Sequence, residues 1–511
     1  MDTTTAPTTD QPFKIEQRGI DIVPLNERHG NPLELFWIWA ASLMGIVDLV
    51  IGAVVISLGL SLWAAVAAVI IGNISYVLVG LVAMNGPAAG TSTIVISRAA
   101  FGRRGNAVPT FFSWLTIVCW EGVNAVVGTL ALVGIFSIYG LNGNGYKILS
   151  LGIFIALMLA WAILGHATIT TVNRLMTYVI GVAMCIVLYY GFQHVNWNYG
   201  WSHTLAGTNK FSTFVLAVMI VAAANGLAFT NMPADYSRYL PKKASRKKIA
   251  LYTALGAFLP ATILNGAGAV IGTKLNAFDP VGSLGQVVPH WFHFLFLLIA
   301  IVSMIWANII NTYSSGLNLQ AMGIRIVRYK TVLIDAVLAT GFVCYALWVS
   351  NFTTSLENFL ALAIWWIAPW TAIYLVDMYL RRYEYVSDDL VRPRGGIYWF
   401  SGGVNWSAVA ALVIGAGGSV LFTNATLFAS PLTTGPLGGA DLSIPVGMIV
   451  GGSVYYAFNR HLSRAGVPVA SAAVTPGATV SAPVASGTVA SSAGLAPGPD
   501  DDLNAGPAGL V

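Results

Sequence analysis

The chain has 511 residues, of which 56% are hydrophobic and only 9% charged, and its mean hydropathy is +0.73. Soluble domains carry about 25% charged residues, so this much apolar surface excludes a soluble globular protein and calls for an integral membrane protein. The formal charge of +5 comes from basic residues scattered over loops, which argues against nucleic acid as a partner.

The first thirty residues are polar, with no apolar core ahead of the first long hydrophobic run, so no cleavable signal peptide is expected. Crossing a bilayer takes ~20 mostly apolar residues. Twelve such runs follow, near 34–59, 61–84, 109–137, 148–165, 171–192, 212–231, 249–272, 288–311, 331–350, 355–379, 404–423 and 442–459. Several contain Gly or Pro, which membrane helices tolerate when neighbours satisfy the freed backbone groups. The ~10-residue alternation of a membrane β-barrel does not occur, so the expected fold is all-α. Cys119, Cys185 and Cys344 lie inside apolar runs without metal-ligand spacing and read as small core residues.

Lys and Arg set the orientation. With the N-terminus in the cytoplasm, 22 of the 25 basic residues fall on the inner side, and only Lys147, Lys210 and Lys274 fall outside. One span missed or added in mid-chain destroys that split. Twelve helices with both termini cytoplasmic are therefore expected, in the plasma (cytoplasmic) membrane. Residues 1–33 form a cytoplasmic N-terminal segment. Residues 461–511, rich in Ala, Ser, Pro and Gly, cannot bury enough surface to offset ordering entropy and read as a disordered cytoplasmic tail.

Polar groups at membrane depth are costly and mark function. In the first span, Asp48 lies between Gly45 and Gly52, with Ser42 nearby; glycines flanking an acid fit a locally unwound helix with free carbonyls. In the third, "CWEGVN" puts Trp120 and Asn124 four residues apart on one face, extended by Thr116, while Glu121 points about 100° away. An indole offers a stacking surface, and a carboxamide pairs with both a donor and an acceptor on a planar heterocycle. In the eighth, "SMIWANIINTYSSGLNLQ" sets Asn308 and Asn311 one turn apart, followed by hydroxyls. Interhelical hydrogen bonding competes with a solvated site as the explanation. The sixth span ends "AAANGLAFTNMPADYSRYLPKK": Asn225, Gly226 and Pro233 suggest an interrupted helix, and Asp235 and Arg238, three residues apart, form either a gate or a simple capping pair.

Five ordered segments, "GPAAGTSTIVISRAAFGRRGN", "WEGVN", "PADYSRYLP", "NTYSSGLNLQ" and "PWTAIYLVDMYLRR", resemble nucleobase–cation symporter family 1, most closely its cytosine–purine permease branch. The resemblance implies an inverted repeat of five helices, residues 34–192 and 193–380, plus two further helices in 381–460. It implies a substrate held near the bilayer midplane between spans 1, 3, 6 and 8. By this resemblance Trp120 stacks on the substrate, Asn124 and Asn311 read its edge, and Asn308 is the second choice in span 8. Phe229 stands where the family usually has Trp, and Gly226 and Ala228 are placed to line the pocket. Sodium-coupled members use span 1 carbonyls and span 8 hydroxyls; here "AIVSMIWAN" offers Ser303. Asp48 and Glu121 make proton coupling at least as attractive.

The expected function is import of cytosine or purine bases with H+ or Na+ by alternating access, with no cofactor and with a small nucleobase and the lipid bilayer as partners. A carrier of another planar compound, such as allantoin, a hydantoin or a vitamin, is the runner-up. An integral-membrane prenyltransferase needs paired acids at span ends; "SDDL" at 387–390 lies in a basic loop and "PDDD" in the tail.

Overall fold

The apolar runs become helices. A computed structural model describes residues 19–162, 166–193, 195–202, 208–274, 280–324, 326, 328–350 and 352–462. Among them no strand forms; the pairings outside helices are two isolated bridges, Ser401 with Val404 and Asn424 with Ala429. Among the described residues, nine helices are long and apolar enough to cross a membrane, or ten when the bent pair α1 (Leu33–Ser42) and α2 (Ile46–Ser57), inclined at 67°, is taken as one span. The runs at 404–423 and 442–459 form helices of 16 and 17 residues, Trp406–Leu421 and Ser443–Asn459. The tail from residue 463 onward lies outside the described residues.

In chain order the remaining spans are α3 (Leu62–Asn73) with α4 (Tyr76–Ala83), α5 (Ala107–Ile138), α6 (Asn144–Ala162), α7 (His166–Phe192), and α8 (Lys210–Ala224) with α9 (Pro233–Ser237). They continue with α10 (Arg246–Ile271) and, after the short connecting helix α11 (Pro280–Val287), with α12 (His290–Ala321), α13 (Arg328–Cys344) and α14 (Phe352–Leu380). The eighth span runs ten residues past the apolar stretch that marks it. Its polar extension stays helical because the small polar groups are buried against neighbours: Asn318 Nδ2 donates to Ser113 Oγ at 2.6 Å, and Tyr236 OH to the Ile310 carbonyl at 2.8 Å.

Close backbone approach fixes the helices that matter for the site. A Cβ on Gly52 of α2 would stand 1.7 Å from the Asn265 carbonyl oxygen, and one on Gly268 of α10 would stand 1.9 Å from that of Leu49. Gly52 therefore serves packing of α2 on α10, not unwinding of the first span. Small residues let membrane helices meet at this range. The segment Gly86–Phe101 makes three short helical turns; buried Arg98 donates to the carbonyls of Leu390 and Ala321 at 3.0 and 2.8 Å. The cysteines correct the sequence reading: Cys185 and Cys344 are exposed and Cys119 is half-buried. In a membrane protein outward positions stay apolar, so an apolar run does not tell a core face from a lipid face.

Candidate functional site

Two helix breaks face each other in the middle of the bundle. The first span parts at Leu43–Gly45, where the Gly45 N–H donates to Asp48 Oδ2 at 3.1 Å. Asp48 thus caps the new N-terminus of α2, where a negative charge is favoured by the helix dipole. The sixth span leaves helical geometry at Asn225, passes through a single 3-10 turn at Leu227–Phe229, and restarts at Pro233. Asn265 of α10 ties the breaks together. It donates to the Asp48 carbonyl at 2.9 Å and accepts from Asn225 Nδ2 at 2.6 Å and Asn73 Nδ2 at 3.3 Å.

Between the breaks lies a cavity of about 30 Å³ walled by Asp48, Trp120, Asn124, Asn225, Phe229 and Asn311, with Ser42 and Met304 among the other contacts. Trp120 and Phe229 stack on one another with centroids 6.0 Å apart and planes inclined by 20°. Phe359 holds the indole edge-on at 5.4 Å, and Trp39 holds Phe229 edge-on at 5.8 Å. Asn124 donates to Asn308 Oδ1 at 2.8 Å. Two buried polar atoms lack any hydrogen-bond partner here, the donor Trp120 Nε1 and the acceptor Asn311 Oδ1. Buried polar groups are nearly always paired, so an orphaned donor and acceptor flanking a stacked ring pair suit a planar ligand carrying both. At about 30 Å³ the cavity has room for about two waters, against ~150 Å³ for a cavity that takes benzene. A ring slipped between Trp120 and Phe229 needs about 7 Å, two contact layers of ~3.5 Å, so the rings must part by roughly 1 Å.

On one side the cavity meets a wider apolar vestibule of about 240 Å³, with which it shares Ile51 and Ala224. Glu357, Asn424, Thr426 and Asp441 give that vestibule its polar rim. Burial raises the Asp441 carboxyl above its usual range, opposed by hydrogen bonds from the Asn424 and Ser443 N–H groups and the Ser443 hydroxyl. On the other side hydrogen bonds close the bundle. Thr93 gives its N–H and hydroxyl to Asp235 Oδ1 at 2.8 and 3.0 Å. Arg238 donates to the Gly19 carbonyl at 2.8 Å, Tyr313 OH at 2.9 Å and Tyr239 OH at 3.0 Å. Ser113 Oγ accepts from both Asn231 and Asn318. The pair expected as a gate therefore binds outward to three other parts of the chain.

The structure brings Asp48, Trp120, Asn124, Phe229 and Asn311 to one cavity. It puts the other expected residues elsewhere. Gly226 packs on the backbone of Ser75 and Tyr76, where a Cβ would come within 2.2 Å. Asn308 donates to the Glu121 carbonyl at 3.1 Å and stands behind Asn124. Ser303 gives its hydroxyl to the Ala300 carbonyl at 2.9 Å, on its own helix. Glu121 is fully buried and is not part of the cavity wall. Asn265, Asn73 and Asp335 carry no local signature; only the rarity of amides and acids inside apolar runs marks them.

Spans broken around a buried, mostly uncharged cavity, bordered by a vestibule on one side and bonded shut on the other, are the architecture of a helical membrane transporter. A model of the family described as permease for cytosine/purines, uracil, thiamine, allantoin matches residues 22–451, and the chain belongs to this nucleobase–cation symporter family 1. Among relatives, it is 28% identical to the putative purine-cytosine permease YxlA of Bacillus subtilis over 87% of this chain and 96% of that protein. It is 26% identical to the hydantoin permease of Microbacterium maritypicum, over 76% and 81%. Its fold is similar to that of Mhp1, a nucleobase-cation-symport-1 family transporter solved closed with bromovinylhydantoin bound. The TM-score is 0.72, at 21% identity over 88% of this chain and 96% of that one.

Proposed function

We propose that this chain is a secondary active importer of cytosine or purine bases, driven by H+ or Na+ through alternating access. Trp120 and Phe229 sandwich the base, and Asn124, Asn311 and the Trp120 N–H meet its polar edge. The observation that carries this reading is the stacked Trp120–Phe229 pair flanked by the unpartnered Trp120 Nε1 and Asn311 Oδ1. The positive-inside split supports twelve spans, with both termini cytoplasmic and in a plasma membrane. The broken first and sixth spans fit an inverted repeat of five helices in residues 34–192 and 193–380. The base enters through the vestibule at Ile51 and Ala224, and release on the other side requires the Asp235 and Arg238 contacts to part.

The test is uptake of radiolabelled cytosine with unlabelled bases as competitors, in cells and in proteoliposomes. Base–aromatic stacking is worth about 1–3 kcal/mol, so Trp120→Ala should weaken apparent affinity roughly 5- to 150-fold. Asn124→Ala should abolish saturable uptake, with protein still in the membrane. Normal uptake by both variants would sink the site assignment. A second reading, a carrier of hydantoins or allantoin, rests on the likeness to the hydantoin permease and to the allantoin permease of Bacillus subtilis, 24% identical over 78% of this chain. Competition by allantoin or a hydantoin but by no base selects it.

A further inference from the structure

One residue along from Trp120, the chain buries an acid that the cavity does not use. Glu121 turns into the junction of α5, α12 and α13, where both its carboxyl oxygens lack a hydrogen-bond partner. The charged group acting on it there is Asp335 of α13, more than two hundred residues away in sequence. Asp335 is itself fully buried. Its Oδ1 accepts from Trp114 Nε1 at 3.0 Å, and its Oδ2 has no partner. Ser315, also fully buried, lies near Asp335, and its hydroxyl has no hydrogen-bond partner. Thr312 stands beside Glu121 but donates to the Asn308 carbonyl at 2.9 Å.

Two fully buried carboxylates that act on one another among apolar helices cannot both stay charged. The other neighbours offer no compensation. Among the described residues, α12 supplies Thr312 and Ser315, and α5 supplies Trp114 and the titratable Cys119. Among the described residues, no Lys, Arg or His is among the groups that shift either acid. A metal is not suggested either, since no group of three metal-ligating side chains occurs among the described residues. A proton needs no cavity, and one proton shared between the two acids leaves a single negative charge facing the Ser315 and Trp114 donors. We propose that Glu121 and Asp335 form a shared proton-binding site outside the substrate cavity, and that loading and unloading it couples transport to the proton gradient.

The site lies directly behind the cavity wall. Asn308 joins the two, accepting from Asn124 and donating to the Glu121 carbonyl. A base that touches Asn124 is therefore two hydrogen bonds from the Glu121 carbonyl. The coupling role rests on the importer reading above, whereas proton binding does not.

Two measurements on the full-length protein separate them. In detergent without substrate, infrared difference spectra across a pH titration should show a protonated-carboxyl band that Glu121→Gln and Asp335→Asn each abolish. A band unchanged in both variants, or no titrating band in the wild type, overturns the proposal even if base uptake is established. In proteoliposomes, the ratio of pH-gradient-driven accumulation of labelled cytosine to its equilibrium exchange should fall at least tenfold in each variant. Asp335→Glu should restore it in part. A merely structural role lowers accumulation and exchange together and leaves the ratio unchanged, which overturns the coupling role. If no base is transported at all, the importer reading fails and the infrared result alone decides the proton site.

Discussion

Asp48 and Glu121 are both acids set in the middle of apolar helices, yet their surroundings differ in kind. Asp48 caps a helix that begins beside it, at the cavity wall, and its own carbonyl is held by Asn265. Glu121 lies within an unbroken helix, off the cavity, with neither oxygen hydrogen-bonded. The first acid helps to build a break in the fold. The second costs desolvation without returning a hydrogen bond, so its presence calls for a role other than stability.

The largest effect should come from the packing beneath each acid. The helix that Asp48 caps meets backbone, because a Cβ on Gly52 would fall 1.7 Å from the Asn265 carbonyl oxygen. The helix that carries Glu121 meets a ring, because a Cβ on Gly122 would fall 2.7 Å from Phe342 Cδ1. Backbone cannot step aside as a side chain can. Gly52→Ala should cost about 4 kcal/mol or more and leave little monodisperse protein on size exclusion. Gly122→Ala should cost roughly 1–3 kcal/mol and still yield folded protein. Equal yields from the two would break the contrast.

The next effect concerns Asp48 itself. Removing a cap costs about 0.5–2 kcal/mol, so Asp48→Ala should lower thermal stability by that amount and reduce uptake. Asp48→Asn keeps an oxygen for the Gly45 N–H and should restore stability. Uptake restored along with it assigns the residue to the helix break. Uptake still lost with stability restored shows that the charge at the cavity wall is itself required.

Much of this frame is legible in the chain. Hydropathy gives the helices to within a few residues, because a lipid-facing helix has to stay apolar for its whole length. The eighth span ran past its apolar stretch since Thr312, Ser314, Ser315 and Asn318 are buried against other helices, which no local window registers. Helical phase separates Trp120 and Asn124 from Glu121, and the cavity keeps that separation. The partners stayed hidden where they come from far along the chain. Asn265 is 217 residues from Asp48, and Asp335 is 221 from the indole that holds it. Gly226 and Asn308 are polar or small enough for a pocket, but only tertiary contacts show that they serve packing and support.

The smallest expected change is the one that most sharpens the contrast. Glu121→Gln keeps the shape of the side chain, takes the titrating carboxyl out of an apolar junction, and leaves a carboxamide that can still donate to Asp335. The substitution opens no cavity and leaves no unpaired charge at position 121, so the costliest mechanisms for buried substitutions do not apply. Thermal stability in detergent should therefore stay within about 1 kcal/mol of the parent, below the loss for Asp48→Ala, while the response of transport to pH changes. A large stability loss would mean that Glu121 makes a structural contact the hydrogen-bond geometry does not reveal. The two acids would then differ only in degree.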